Sequence, residues 1–291
     1  IGTAVRKSFS DTFDIISPGR EEIALDDRKN LSDKIRRILN HESPDIILNL
    51  AAYTNVEKAE EQREIAFAVN GDALTQICSE ISVYNSKQNK NLPLIHFSTD
   101  YVFDGGGVEP IRPCARMNPL NVYGQSKAEG EKNILSSPIS YLIFRTSWVV
   151  SKYRNNFVKT ILRKIENDSE INVVGDQYGA PTTAEFIADF LGQLIEDNSL
   201  QTRKGVYHIC GKGETTWFEL ANFVFENFKK LKGIPKEKSF RINRISTDEM
   251  QSVVKRPRNS RLCCDSLKNT FSIEQIHWKT QVEGIIKDLL Q

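Results

Sequence analysis

Tyr123 and Lys127 stand four residues apart. On a helix, positions i and i+4 share a face, so a phenol and an ammonium at this spacing can enter one cleft. A fixed positive charge beside a phenol favours the phenolate, and such a tyrosine can pass a proton to or from a carbonyl or alcohol oxygen near neutral pH. Carbonyl reduction by a nicotinamide cofactor needs that chemistry. Upstream, Ser98-Thr99-Asp100-Tyr101 closes an apolar run and sets a hydroxyl at a strand end. Alone, Tyr-x-x-x-Lys is also what a helix surface offers by chance. The surrounding elements decide between the two.

Short apolar runs alternate with helical patterns. Phe13 to Ser17 reads as a strand, and Leu31 to Asn40 as a helix capped by Asn30 or Ser32. Asp45 to Leu50 is a buried strand ending in Ala51-Ala52, and Glu57 to Tyr84 is helical with a break near Asn70-Gly71. Leu94 to Ser98 and Tyr141 to Thr146 are further strands, separated by a helix over Gly124 to Leu135. Continuous apolar strands between amphipathic helices imply an α/β fold with a parallel sheet covered on both faces. Ligands of such sheets sit beyond the carboxyl ends of the strands. Ala51-Ala52, Ser98-Thr99 and Thr146-Ser147 therefore converge on one crevice.

The rhythm changes after about residue 150. Helices are expected over Asn156 to Ile165, Ala184 to Glu196, Thr216 to Lys232 and Gln281 to Leu290, with strands at Ile171 to Val174 and Val206 to Cys210. We read 1–150 as a cofactor-binding domain and 151–291 as a smaller substrate lobe with segments returning to the sheet. Lys229-Lys230-Leu231-Lys232 is a solvated helix end. His96 and His208, inside strands, read as packed structural side chains with no metal-ligand spacing between them.

The 291 residues, 39% hydrophobic and 26% charged, describe an ordinary globule. A net charge of +1 argues against broad binding to nucleic acid or an anionic membrane. No apolar run reaches the length of a membrane span, and no signal-peptide pattern opens the chain. Five irregularly spaced cysteines without C-x-x-C point to a reducing cytoplasm, with Cys263-Cys264 as two core-side thiols.

Seven blocks together resemble the dTDP-4-dehydrorhamnose reductase family of extended short-chain dehydrogenases. They are Asn49 to Glu60, Ser98 to Gly105, Pro119 to Lys127, Phe144 to Trp148, Asn155 to Phe157, Asp176 to Thr182 and Arg256 to Ser260. They run in order over essentially the whole chain. The resemblance implies a Rossmann-type doubly wound sheet. The family's Gly-rich turn has the form G-x-x-G-Q-L-G, and Ile1-Gly2 matches only its last two positions. The first strand and most of the pyrophosphate loop are then expected to be absent, as in an N-terminally truncated record. Between Pro110 and Asn118 the family's acidic stretch is replaced by Pro110-Ile111-Arg112-Pro113-Cys114-Ala115. Some members hold magnesium on glutamates near a subunit interface; no such set is located here, which leaves both the metal and a homodimer open.

The resemblance assigns Tyr123 as general acid, Lys127 as the group that lowers its pKa and holds the nicotinamide ribose, and Thr99 as a hydrogen-bond partner of the substrate carbonyl. Gly2, Ala51, Ala52 and Tyr53 would line the cofactor groove, and Asp26 would lie near the adenine. With no carboxylate between Ser17 and Arg20, those two residues suit a 2′-phosphate, favouring NADPH over NADH. For the dTDP-sugar, Asp100 and Tyr101 would form the cleft floor. Trp148 would pack on a ring, Asn156 and Gln177 would bond hydroxyls or the base, and Arg256 would grip the diphosphate. The activity implied is reduction of dTDP-4-dehydro-L-rhamnose to dTDP-L-rhamnose. A sugar-nucleotide dehydratase or epimerase is disfavoured, because the dehydratase Asp-Glu pair after Thr is here Asp100-Tyr101. The alternative of another class is a non-catalytic relative like the regulatory subunit of methionine adenosyltransferase.

Overall fold

The computed structural model describes residues 1–196, 200, 203–233 and 240–291. Helices α1 (Gly2–Phe9) and α2 (Leu31–Glu42) precede strand β1 (Ile47–Asn49). Then come α3 (Val56–Glu61), α4 (Arg63–Phe67), one π-helical turn (Ala68–Asp72) and α5 (Ala73–Gln88). Strand β2 (Leu94–Thr99), α6 (Val122–Leu135) and β3 (Tyr141–Thr146) follow. The second half holds β4 (Val149–Val150), α7 (Phe157–Asn167), β5 (Glu170–Val174), β6 (Tyr178–Gly179), β7 (Thr182–Thr183), α8 (Ala184–Glu196) and β8 (Gly205–His208). It closes with β9 (Thr215–Thr216), α9 (Trp217–Lys232), β10 (Arg241–Ile245), α10 (Asp265–Phe271) and α11 (Trp278–Leu290).

The main sheet is parallel throughout, in the order β1-β2-β3-β8. All six residues of β2 and all six of β3 are buried. Alternate side chains feed two cores: Ile95, Phe97, Leu142 and Phe144 join Val5, Phe9, Phe190 and Phe271 on one face. Leu94, Tyr141 and Ile143 join Leu31, Ile35, Leu74, Ile81 and Ile134 on the other. Helices on both faces of a parallel sheet make the doubly wound, Rossmann-type architecture. A third core lies between α7, α9 and α11, around Val158, Ile161, Leu220, Val224, Val282 and Ile286.

Two local expectations fail. Phe13 to Ser17 forms no strand: Phe13 and Ile15 pack against the core, but the segment joins no ladder. The amides of Thr12 and Phe13 are both bonded to Phe9 O at 3.0 Å in the turn leaving α1, and a second turn begins at Gly19. Packing satisfies the apolar pattern without the backbone pairing that defines a strand. Of the Cys263-Cys264 pair, only Cys264 is buried, with its sulfur 3.5 Å from that of Cys210. The Cys263 thiol instead turns to Asp265. No described helix is long and apolar enough to cross a membrane.

Candidate active site

Thr99 ends β2 in extended conformation and caps the 3₁₀ turn Asp100–Val102. Its hydroxyl accepts from Tyr101 N (3.2 Å) and donates to Asp100 Oδ1 (3.0 Å). Ser260 Oγ donates to the other Asp100 oxygen at 2.5 Å. Asp100 is thus enclosed, and burial pushes its carboxyl up to about 6 even though these bonds favour the carboxylate. The floor residue expected to face substrate has both oxygens committed within the protein.

Helix α6 delivers the phenol. Asn121 caps it, accepting from Gly124 N (2.9 Å) while its amide donates to Lys255 O (2.9 Å). A Cβ at Gly124 would lie 2.2 Å from Tyr101 O, so only glycine lets the first turn of α6 meet the end of β2. Tyr123 is half-buried, and its ring meets Tyr101 edge-on at 5.5 Å. The Thr99 side chain lies beside the Tyr123 phenol and favours its phenolate.

Burial raises the Tyr123 pKa well above the ordinary phenol range, and Thr99 works against that rise. The expected lowering by Lys127 is not the governing effect, because the ammonium points elsewhere. Lys127, 2% exposed, donates to Phe97 O (2.7 Å) and lies 3.1 Å from His96 Nε2. Burial brings Lys127 down to about 8, with Glu131 pulling it back up. His96 is packed inside its strand, as expected, and is also tied laterally: its Nδ1 lies 3.0 Å from the amide nitrogen of Asn49, its register partner on β1. Burial and the nearby ammonium hold its imidazole well below the usual range. His208, by contrast, has no hydrogen-bond partner on either ring nitrogen and packs edge-on against Phe103.

Tyr123, Lys127 and Glu131 continue one face of α6 at four-residue spacing. Glu131 is fully buried against Arg145, with Nε and Nη2 bonds of 2.9 and 2.6 Å, while Arg145 Nη1 donates to Pro113 O (2.9 Å). Spacing alone would have reached Glu131; its partner on β3 is legible only in the fold.

The remaining expected site residues fall into three groups. Arg256 lies near Tyr101, donates to Ser252 Oγ (2.8 Å), and pairs with Glu57 at the start of α3. Trp148 stacks face to face on Trp217, with ring centres 3.6 Å apart, and adopts φ +49°. Asn156 caps α7, and its amide donates to Ser151 O and Arg154 O (2.6 and 2.9 Å). Gln177, buried, donates to Thr247 Oγ1 (3.2 Å). Asn156 and Gln177 are therefore occupied by the fold.

At the expected cofactor end, Gly2 begins α1 beside Leu50, and Ala51 and Ala52 leave β1 without bulk. The Tyr53 backbone is clamped by Asn70, whose amide also donates to Ser126 on α6 (2.9 Å). Arg20, Glu21, Ala24, Asp26 and Asp27 line an open depression of about 530 Å³. There Arg20 pairs with Asp26 at 2.8 Å, and Ser17 is exposed nearby in sequence. The buried Ser98 and Thr146 hydroxyls, at the carboxyl ends of β2 and β3, meet no partner within the described chain. A guanidinium at the rim, small residues along the groove and free hydroxyls at the strand ends fit a phosphorylated dinucleotide. Among the described residues no cluster of His, Cys, Asp or Glu is arranged to hold a metal ion.

The family model described as RmlD substrate binding domain matches residues 1–291. A dTDP-4-dehydrorhamnose reductase of Sinorhizobium fredii is 36% identical over 294 residues, covering 100% of this chain and 94% of that protein. Its Escherichia coli K12 namesake is 37% identical over 84% of this chain and 80% of its own length. Among solved structures, the Bacillus anthracis dTDP-4-dehydrorhamnose reductase in complex with NADP superposes with a TM-score of 0.86 at 27% identity, over 99% and 95% of the two chains. The Clostridium acetobutylicum protein of the same name gives 0.88 at 26%, over 100% and 96%. A full-length family match, two relatives above the one-third identity level and a fold shared end to end agree with the Thr99, Tyr123 and Lys127 constellation: the chain belongs to the RmlD substrate binding domain family, whose named members here are dTDP-4-dehydrorhamnose reductases.

Proposed function

We propose that this chain reduces the 4-keto group of dTDP-4-dehydro-L-rhamnose to give dTDP-L-rhamnose, with NADPH as the reductant. The observation carrying this proposal is the juxtaposition of Thr99 and Tyr123, one helical turn from a buried ammonium at the carboxyl ends of a parallel sheet. When bound, the dinucleotide supplies hydride to the keto carbon. Tyr123 gives its proton to the sugar oxygen as negative charge develops there, and its raised pKa suits it to remain protonated until that moment. Thr99, oriented by Asp100, shares the proton with Tyr123 and aligns the carbonyl. Lys127, its ammonium seated on Phe97 O and beside His96, holds the ribose.

Arg256 turns from Glu57 to the diphosphate, with Tyr101 beside it. Trp148 packs on a ring of the substrate. Asp100 acts through Thr99 and Ser260, and Asn156 and Gln177 shape the pocket through the backbone they hold. Gly2, Ala51, Ala52 and Tyr53 line the dinucleotide groove; Arg20, Ser17 and Asp26 receive its adenosine end, with Arg20 on the 2′-phosphate. The division near residue 150 separates the cofactor and substrate lobes.

Loss of reduced-nicotinamide absorbance with the keto-sugar nucleotide tests the activity. Tyr123→Phe is expected to lower kcat by about 10²- to 10⁴-fold while NADPH binding persists. A folded wild-type chain that binds NADPH and never oxidises it with this substrate would favour the non-catalytic relative and overturn the proposal.

A further inference from the structure

His96 sits in the middle of β2, 1% exposed, with one ring nitrogen on Lys127 and the other on Asn49. An ammonium can only donate, so the nitrogen it meets must be bare. Nε2 is therefore the acceptor, and a neutral imidazole must then carry its proton on Nδ1. Asn49 meets Nδ1 at 3.0 Å through its amide nitrogen, and a proton on Nδ1 requires that amide turned over so that its oxygen accepts from Nδ1–H and fixes the tautomer. Without that acceptor, the buried ammonium would keep only Phe97 O among these partners. We propose that His96 is a positioning residue for the reduction: held in one tautomer by Asn49, it fixes the Lys127 ammonium through Nε2.

The groups facing this chain of contacts are few. On α6 they are Tyr123 and Glu131; on β3 Arg145, already paired with Glu131; at the end of β2 Asp100; and on β1 the neutral Asn49. Glu131 favours the charged lysine and burial opposes it. Removing the His96 acceptor tips this balance toward neutral lysine. The consequence for turnover rests on the reductase function proposed above, whereas the tautomer does not.

Two experiments on the full chain test the proposal. Long-range proton–nitrogen correlations on histidine-labelled protein, with His96 assigned by loss of its signals in His96→Gln, report the tautomer directly. His96 is expected neutral and protonated on Nδ1 throughout about pH 5 to 8. A proton on Nε2, or an imidazole that becomes charged within that range, would overturn the assignment. In the kinetic experiment, His96→Leu is expected to lower kcat by about ten- to hundredfold with little change in KM for the sugar. The alkaline limb of its kcat profile should move to lower pH, and His96→Gln, which retains an acceptor oxygen, should recover most of both losses. Wild-type kcat and pH profile in His96→Leu, or equal losses in Leu and Gln that track only melting temperature, would also overturn it. Should the wild-type chain show no turnover at all, the reductase function fails and the tautomer alone decides the His96 contact.

Discussion

Asp100 carries a pH signature that follows from its enclosure. Its folded pKa is raised from 3.8 to about 6, so between these values the folded chain holds more protons than the unfolded chain. Stability from this group therefore falls as pH rises through that window, approaching about 3 kcal/mol lost above pH 6. Asp100→Asn removes the titration. Urea unfolding of both proteins at low and neutral pH should show the variant gaining about 3 kcal/mol relative to wild type across the window. A constant difference would mean that the carboxyl is not buried as described. Glu131 matters through its charge pairing: Glu131→Gln leaves the buried Arg145 uncompensated and should cost about 3 to 5 kcal/mol in the same assay. At this scale the grouping of Thr99, Tyr123 and Lys127 at one strand end and helix start was legible, since type and spacing mark them. His96 was not, because a histidine in an apolar strand reads as packing until its register partner Asn49 and the Lys127 ammonium are known to meet it. Asn156 and Gln177 misled in the other direction: their polarity suggested ligands, but helix capping and a loop contact use them.

Helix α6 is the element on which the site depends, and its two glycines show why propensity is a poor guide there. Gly130 lies mid-helix, where alanine would ordinarily be favoured by about 0.5 to 1 kcal/mol. Here an added Cβ would fall 2.0 Å from Asn70 O and 2.5 Å from Leu74 Cδ1. The π-helical turn at Ala68–Asp72 brings that carbonyl against α6, and backbone cannot yield cheaply. Gly130→Ala should therefore destabilise the chain by about 1 to 3 kcal/mol, read from a lower denaturant midpoint. The break expected near Asn70-Gly71 is this turn, and its purpose, seating α6, was invisible to local pattern. Asn121→Ala removes the α6 cap and the tie to Lys255, with an expected cost of about 1 to 2 kcal/mol and a lower kcat, because Tyr123 rides on the first turn. Helices and buried strands were readable because amphipathic period and apolar runs are local signals. Phe13 to Ser17 was misread because a strand is a relation between two segments, and apolar alternation reports only one of them.

The two halves of the chain build the sheet and the site jointly. β8 comes from the second half yet pairs with β3, and α8 packs along α1. The segment from Val254 to Cys264 then returns across the catalytic end: Lys255 O accepts from Asn121, Arg256 pairs with Glu57, Asn259 donates to Glu109 O, Ser260 donates to Asp100, and Leu262 bridges to Ile111. Four of these five contacts involve buried residues, so pulling the lobes apart would take the Ser260 donor from Asp100 and the Glu109 acceptor from the Asn259 amide. Such contacts couple the lobes in unfolding. The placement of the tryptophans makes this testable, because Trp148, at the boundary, and Trp217 and Trp278 all pack in the third core, which the second half builds almost entirely. Their fluorescence follows that half alone, while far-UV circular dichroism follows helices of both. Coupled lobes require the two signals to share one urea midpoint, and Ser260→Ala should lower both together by an amount equivalent to about 1 to 3 kcal/mol. Fluorescence that changes at a lower urea concentration than ellipticity, in wild type or variant, would show that the substrate half unfolds by itself and that the strap over Asp100 is not what binds it to the sheet.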